Sequence, residues 1–114
     1  MNGILDAIRT AFSTGRTRTA SSTYATSVGW HRFGFELVPQ SDGTVRLYIL
    51  EQPSYGLNDS SLTETHRYYD DASRLHYVCI KDHLAPRNET DARDWADYWS
   101  QMTAIYIASG RPFS

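Results

Sequence analysis

Hydrophobic and polar residues follow a helical period near the start of the chain. In residues 2–12, NGILDAIRTAF, apolar side chains recur every three to four positions after Asn2, a residue type that caps helix N-termini. An isolated helix this short is marginal in water, so the pattern predicts a helix that docks on the rest of the protein. Residues 13–28 are rich in Ser and Thr, and we expect a flexible polar connection there, with a short strand near Tyr24.

A second helical pattern covers residues 89–109. Asn88 or Thr90 is suited to cap its start, and Gly110 is suited to end it. Acidic residues in its first turn favour the positive end of the helix dipole. The residues expected on its core-facing side are Ala92, Trp95, Ala96, Trp99, Met102, Thr103 and Tyr106.

Between these helices, apolar and polar residues alternate with a period of two, which is typical of strands with one buried face. The strand segments are 30–38, 44–51, 66–69 and 74–81. Asp42 and Gly43 favour a turn between the first two segments, and residues 70–73 favour a turn between the last two. Each pair of segments therefore predicts a β-hairpin.

These elements predict a two-layer α+β fold. Residues 30–83 would form a mainly antiparallel sheet of about four strands, made of two β-hairpins. The N-terminal and C-terminal helices would pack on one face of that sheet. The length of 114 residues suits a single domain over residues 1–114.

Charge and hydropathy narrow the classes of partner. The chain has a net charge of −2 and a pI of about 6.0, whereas nucleic-acid-binding domains usually reach a pI above about 9. Direct binding to nucleic acid is therefore disfavoured. The sequence has no run of about 18 apolar residues, so no membrane span is predicted. Residues 1–12 do not show the pattern of a signal peptide.

Cys79 is the only cysteine, so an internal disulfide is not available. This favours a reducing, cytoplasmic location and a small packed core residue. The segment 75–83, LHYVCIKDH, also carries His76 and His83. On a strand, His76 and Cys79 would point to opposite faces, and Cys79 would lie about 13 Å from His83. Zinc ligands must lie within about 2.3 Å of one ion, so a core strand is predicted here instead of a metal site. A zinc site would require the strand to fold back before His83 and a further ligand from His31 or His66.

The segment 65–71, THRYYDD, is the densest polar cluster. His66 with Asp70 and Asp71 has the residue types for general acid–base catalysis, and His31 or His76 would supply a second imidazole. The competing interpretation is a hairpin turn, where Asp is common because it bonds the local backbone. The sequence contains no glycine-rich phosphate loop, nucleophile elbow or zinc-protease motif, so no cofactor is predicted.

The outer stripe of the second helix has apolar residues among acidic ones, as in protein-binding surfaces. A partner, a second copy of the chain or internal packing would each account for it. The residues assigned to partner binding are Asp94, Tyr98, Gln101 and Ile105 of this stripe, Arg16 and Arg18 of the polar connection, and Tyr69 and Asp70 of the turn.

The sequence therefore favours a small, non-enzymatic cytoplasmic module that docks on a partner protein. An inhibitor of a host defence or nucleic-acid-processing complex, encoded by a phage or mobile element, is the narrower expectation. The alternative is a small hydrolase or nuclease that uses His66 with Asp70 or Asp71. A homodimer is the third hypothesis.

Overall fold

Residues 21–113 form a five-stranded antiparallel sheet with one long helix. The computed structural model describes residues 21–113, so the predicted helix 2–12 lies outside the described residues. The strands are β1 (Ser22–Val28), β2 (His31–Pro39), β3 (Val45–Glu51), β4 (Arg67–Asp70) and β5 (Leu75–Val78). The helices are the short α1 (Leu62–Thr65), a 3₁₀ turn (Asp82–Leu84) and the long α2 (Glu89–Ser109).

The strand order in the sheet is β1-β2-β3-β5-β4, and every neighbouring pair is antiparallel. Strands β1 and β2 are joined by the two residues Gly29 and Trp30. Gly29 has φ +62°, a backbone conformation that suits glycine in such a turn. Strand β5 inserts between β3 and β4, which places β4 at the edge of the sheet.

The α+β class is confirmed, but the count of four strands is wrong. The additional strand is β1, which contains the short strand predicted near Tyr24 but runs from Ser22 to Val28, through part of the segment that was expected to be a flexible connection. Thr23 and Tyr24 are β-favouring residues, and β2 supplies the hydrogen-bonding partner that local composition does not reveal. The last predicted strand, 74–81, ends at Val78 instead.

The core lies between α2 and one face of the sheet. Alternation along β2 buries Phe33, Phe35 and Leu37 on that face. Trp99 of α2 packs edge-on against two of these rings, with centroid distances of 6.1 Å to Phe33 and 6.0 Å to Phe35. Edge-to-face geometry is favourable for aromatic pairs, and the indole N–H of Trp99 also donates to the Thr65 carbonyl oxygen at 3.2 Å.

The predicted bounds of the long helix, 89–109, are confirmed. Asn88 caps its start, since the Asn88 side chain accepts a hydrogen bond from the Asp91 N–H. Gly110 ends it in a left-handed conformation with φ +72°. The Tyr24 hydroxyl donates to Asp97 at 2.8 Å and so ties β1 to the helix.

The opposite face of the sheet is called the open face below. Within the described range of 21–113, α2 packs on β1, β2 and β3 from the core side, and no helix covers the open face. None of the described helices combines the length and apolar character needed to cross a bilayer.

Candidate functional site

Three strands bring a group of aromatic and charged side chains together on the open face. Because β3 directs Leu47 and Ile49 into the core, Arg46 and Tyr48 project from the other side. Tyr48 is paired with Tyr77 of β5, and Tyr77 is paired with Tyr68 of β4. The tyrosine–arginine cluster consists of Arg46, Tyr48, Tyr68, Asp70 and Tyr77.

The rings of the cluster pack on one another across the sheet. Tyr77 lies between the other two, with centroid distances of 5.6 Å to Tyr48 and 5.4 Å to Tyr68. The Arg46 guanidinium carbon lies 4.2 Å from the centre of the Tyr77 ring, which is a cation–π contact. These contacts hold the arginine against the surface and limit its rotamers.

Hydrogen bonds then fix the cluster in one arrangement. Arg46 donates to the Tyr48 hydroxyl at 3.2 Å, and that hydroxyl donates to Asp70 at 2.8 Å. Tyr48 is only 8% exposed although it lies on the open face, and this burial raises its pKa. The bond from Tyr48, followed by one from Ser73, lowers the pKa of the Asp70 carboxyl. Asp70 is therefore a carboxylate held in place by its neighbours.

A cleft of about 410 Å³ adjoins the cluster. Its lining comes mainly from β3, β4 and β5 and from the segment 80–87 that follows β5. Arg46, Tyr68 and Tyr77 belong to both the cluster and the cleft. The remaining lining residues are Asp42, Thr44, Val45, Leu47, Val78, Ile80, Asp82, Ala85, Pro86 and Arg87.

Tyr68 is the most exposed tyrosine of the cluster, at 49%. A hydrogen bond with Cys79, followed by the charge effect of the same thiol, raises its pKa. Cys79 itself is partly buried, and its N–H donates to the His66 carbonyl oxygen at 2.9 Å. The segment 75–83 is therefore not one continuous strand: β5 ends at Val78, Cys79 makes one further bond to His66, and a 3₁₀ turn follows at Asp82–Leu84.

The residues of the enzyme hypothesis do not converge. The His66 ring stacks on Phe113 at 4.7 Å, and His66 lies four positions before Asp70, about 13 Å along the chain. His76 is paired with Tyr69, so it projects from the face opposite Asp70. Within residues 21–113, no group of three or more His, Cys, Asp or Glu side chains is arranged to hold a metal ion.

The structure separates the residues predicted to bind a partner. Asp70 belongs to the cluster, whereas Tyr69 projects from the core side of edge strand β4, where its ring contacts His76 at 5.0 Å. Asp70 bonds the Ala72 N–H and the Ser73 hydroxyl within its own turn, as local turn chemistry predicts. Arg16 and Arg18 lie outside the described residues.

The stripe on α2 is exposed as predicted. Tyr98 is 46% exposed and Ile105 is 42% exposed, and Asp94 and Gln101 are also exposed. Tyr98 packs edge-on against Trp95 at 5.8 Å, and these two rings with Asp94 line a shallow groove of about 320 Å³. This stripe lies on the far side of the sheet from the cluster.

Of the tyrosine–arginine cluster, only Asp70 is among the residues that the sequence predicted to bind a partner. Alternation along β3 already places Arg46 and Tyr48 away from the core. Their contact with Tyr68 and Tyr77 depends on the insertion of β5 between β3 and β4, which no local pattern signals. Arg87 reaches the cleft through a loop and has no periodic signal at all.

Comparison with known proteins gives no relative. No family model, no curated protein and no solved structure matches this chain.

Proposed function

We propose that this chain is a protein-binding module that docks on a partner protein through the tyrosine–arginine cluster and the adjoining cleft. One observation carries the proposal: three tyrosines and an arginine are held in fixed contact on a sheet face that no described helix covers. Tyrosine and arginine are among the residues that contribute most to binding at protein interfaces.

The rigidity of the cluster supports this use. Association costs free energy because flexible side chains must be ordered, and this cost falls when the surface is ordered beforehand. Arg46 is stacked on Tyr77 and bonded to Tyr48, which is in turn bonded to Asp70. A cluster with these restraints loses little conformational freedom when it meets a partner.

The narrower expectation is that the partner belongs to a host defence or nucleic-acid-processing complex and that docking inhibits it. This follows from the small size of the chain and its lack of catalytic motifs. The identity of the captured partner tests this narrower form directly.

The test is affinity purification of the tagged full chain from its native host, with mass spectrometry of the proteins that co-elute. Tyr68→Arg changes the exposed edge of the cluster, and Tyr98→Arg is the matched change on α2. Both variants are first compared with the wild type by circular dichroism, so that a loss of fold is recognised.

A stoichiometric partner that is lost with Tyr68→Arg and retained with Tyr98→Arg supports the proposal. The reverse result moves the interface to the stripe on α2. Recovery of the chain without a partner contradicts a binding module, and light scattering at two concentrations then tests the homodimer.

A further inference from the structure

The cleft beside the cluster has the size and lining of a binding site. Its volume of about 410 Å³ lies within the range of pockets that hold small ligands or a few side chains of a partner. The partly buried Val45 and Ile80 supply apolar surface, and Arg46 with Tyr68 and Tyr77 lines its border with the open face. An occupant therefore meets apolar, aromatic and cationic groups together.

Arg46 has hydrogen-bonding capacity left to offer. A guanidinium has five N–H donors, and within residues 21–113 the structure gives Arg46 one hydrogen bond, to the Tyr48 hydroxyl. The ion pairs of this part of the chain join Arg32 to Glu51 and Arg93 to Glu89, so Arg46 makes no direct ion pair there, and the Asp70 carboxylate reaches it only through the shared Tyr48 hydroxyl. The remaining N–H groups of this partly buried guanidinium can donate two parallel hydrogen bonds to a carboxylate of an occupant.

The other charged groups of the cleft define how much negative charge an occupant can bring. Arg87 also lines the cleft and donates to the Asp42 carbonyl oxygen at 3.1 Å. The Asp42 carboxylate accepts hydrogen bonds from the Thr44 N–H and hydroxyl, at 2.9 Å and 2.6 Å, and Asp82 adds a second acid. With Asp70 beside Arg46, two arginines face three aspartates, so the cleft disfavours a polyanion and an occupant's carboxylate must contact an arginine directly.

The hydrogen-bond donors that line the cleft also indicate which kind of carboxylate suits it, that of an acidic side chain or that of a C-terminus. Proteins commonly capture a terminal carboxylate with a group of backbone N–H donors. Here the Thr44 N–H is bonded to Asp42, and the Val45 N–H is bonded to the Pro86 carbonyl oxygen at 2.8 Å. The charged donors of the cleft are the arginine side chains, which suit an acidic side chain.

We infer that the cleft binds the side-chain carboxylate of an acidic segment of the partner protein, with Arg46 as its main contact and Tyr68 and Tyr77 packing on the flanking residues. This inference rests on the proposed function, because it names the chemistry that the partner presents to the same site.

The test is an NMR titration of the full chain with a capped tripeptide that has glutamate at its centre. The matched peptides have glutamine at the centre, one of them capped at both ends and the other with a free C-terminal carboxylate. The expected result is saturable shifts at Arg46, Tyr77 and Ile80 with the glutamate peptide, and binding weaker by about tenfold or more with the capped glutamine peptide.

Two variants assign the contact. Arg46→Gln should weaken binding of the glutamate peptide by about tenfold or more, because a charge-assisted pair is lost. Arg32→Gln is the control, since Arg32 lies on the open face but pairs with Glu51 at 3.5 Å and does not line the cleft. The affinity of Arg32→Gln for the glutamate peptide should equal that of the wild type.

Equal binding of the capped peptides, absence of binding, or wild-type affinity in Arg46→Gln would overturn the inference. Binding of the free C-terminus alone would overturn the side-chain assignment. If these results occur while Tyr68→Arg still abolishes capture of the partner, the proposed function stands without its acidic contact. If the peptide results fail and Tyr68→Arg also leaves capture of the partner unchanged, both proposals are overturned.

Discussion

The Tyr48 hydroxyl donates a 2.8 Å hydrogen bond to Asp70 and so joins β3 to β4 across the strand between them. The two residues are 22 positions apart in the sequence. The same hydroxyl accepts a bond from Arg46, which makes Tyr48 the centre of the polar contacts in the cluster. The bond from Tyr48 lowers the pKa of Asp70, and the bond from Arg46 to the same hydroxyl helps to hold the arginine in place.

Removal of that hydroxyl should raise the pKa of Asp70. The pKa of Asp70 is lowered first by the bond from Tyr48, so Tyr48→Phe should return it towards the ordinary value of about 3.9. Carboxylate NMR titration measures this directly. Tyr77→Phe is the control because the Tyr77 hydroxyl is not bonded to Asp70, and an equal rise in that variant would contradict the assignment.

The same bond should give a pH dependence of stability. A carboxyl whose pKa is lower in the folded state stabilises the fold above its unfolded value of about 3.9. That contribution is lost as pH falls through the lowered folded pKa. Urea denaturation should therefore show a stability difference between wild type and Tyr48→Phe at pH 7 that narrows at pH 3. A constant difference would contradict the linkage.

Trp99→Ala should destabilise the protein by about 3–5 kcal/mol, because it empties the space between α2 and the sheet. It also removes the donor to the Thr65 carbonyl oxygen. Trp30→Ala is the matched control. Trp30 is 91% exposed at the turn between β1 and β2, so its loss should change stability by less than about 0.5 kcal/mol. Chemical denaturation of both variants tests the contrast.

Asn88→Ala should cost about 1 kcal/mol of stability, because the Asp91 N–H loses its side-chain acceptor at the start of α2. Thr90 was the other candidate cap in the sequence, and it lies inside the helix. Thr90→Ala should therefore be close to neutral. A larger loss in Thr90→Ala than in Asn88→Ala, measured by thermal or urea unfolding, would contradict the cap.

Gly43→Ala should displace Arg87 from its place beside the cleft. A methyl group at this position would lie 2.5 Å from the Arg87 guanidinium nitrogen, and the backbone has φ +90°. Gly56→Ala is the control. Gly56 has φ +62° with open space around it, so this variant introduces backbone strain of about 1–2 kcal/mol without a clash against another side chain. NMR signals of the Arg87 side chain should move in the first variant only, and unchanged signals there would contradict the contact.

Local patterns were sufficient for the elements that carry their own signals. The long helix has a complete apolar stripe, a capping Asn88 and a terminating Gly110, so its bounds followed from the sequence. Strands β2 and β3 alternate clearly around a turn-forming pair, so their faces also followed. Strand β1 was expected only as a short strand near Tyr24 within a flexible connection, because Ser and Thr composition does not show that β2 pairs with it along its whole length.

The amino-acid sequence by itself determined the α+β class, the position of the long helix and which side of β3 faces the core. Those features depend on residue spacing and on the preferences of single residues. Tertiary structure decided that β5 pairs with β3, and hence that Arg46 and Tyr48 meet Tyr77, Tyr68 and Asp70. Strand pairing depends on contacts between distant segments, and their free energy has no counterpart in a local pattern.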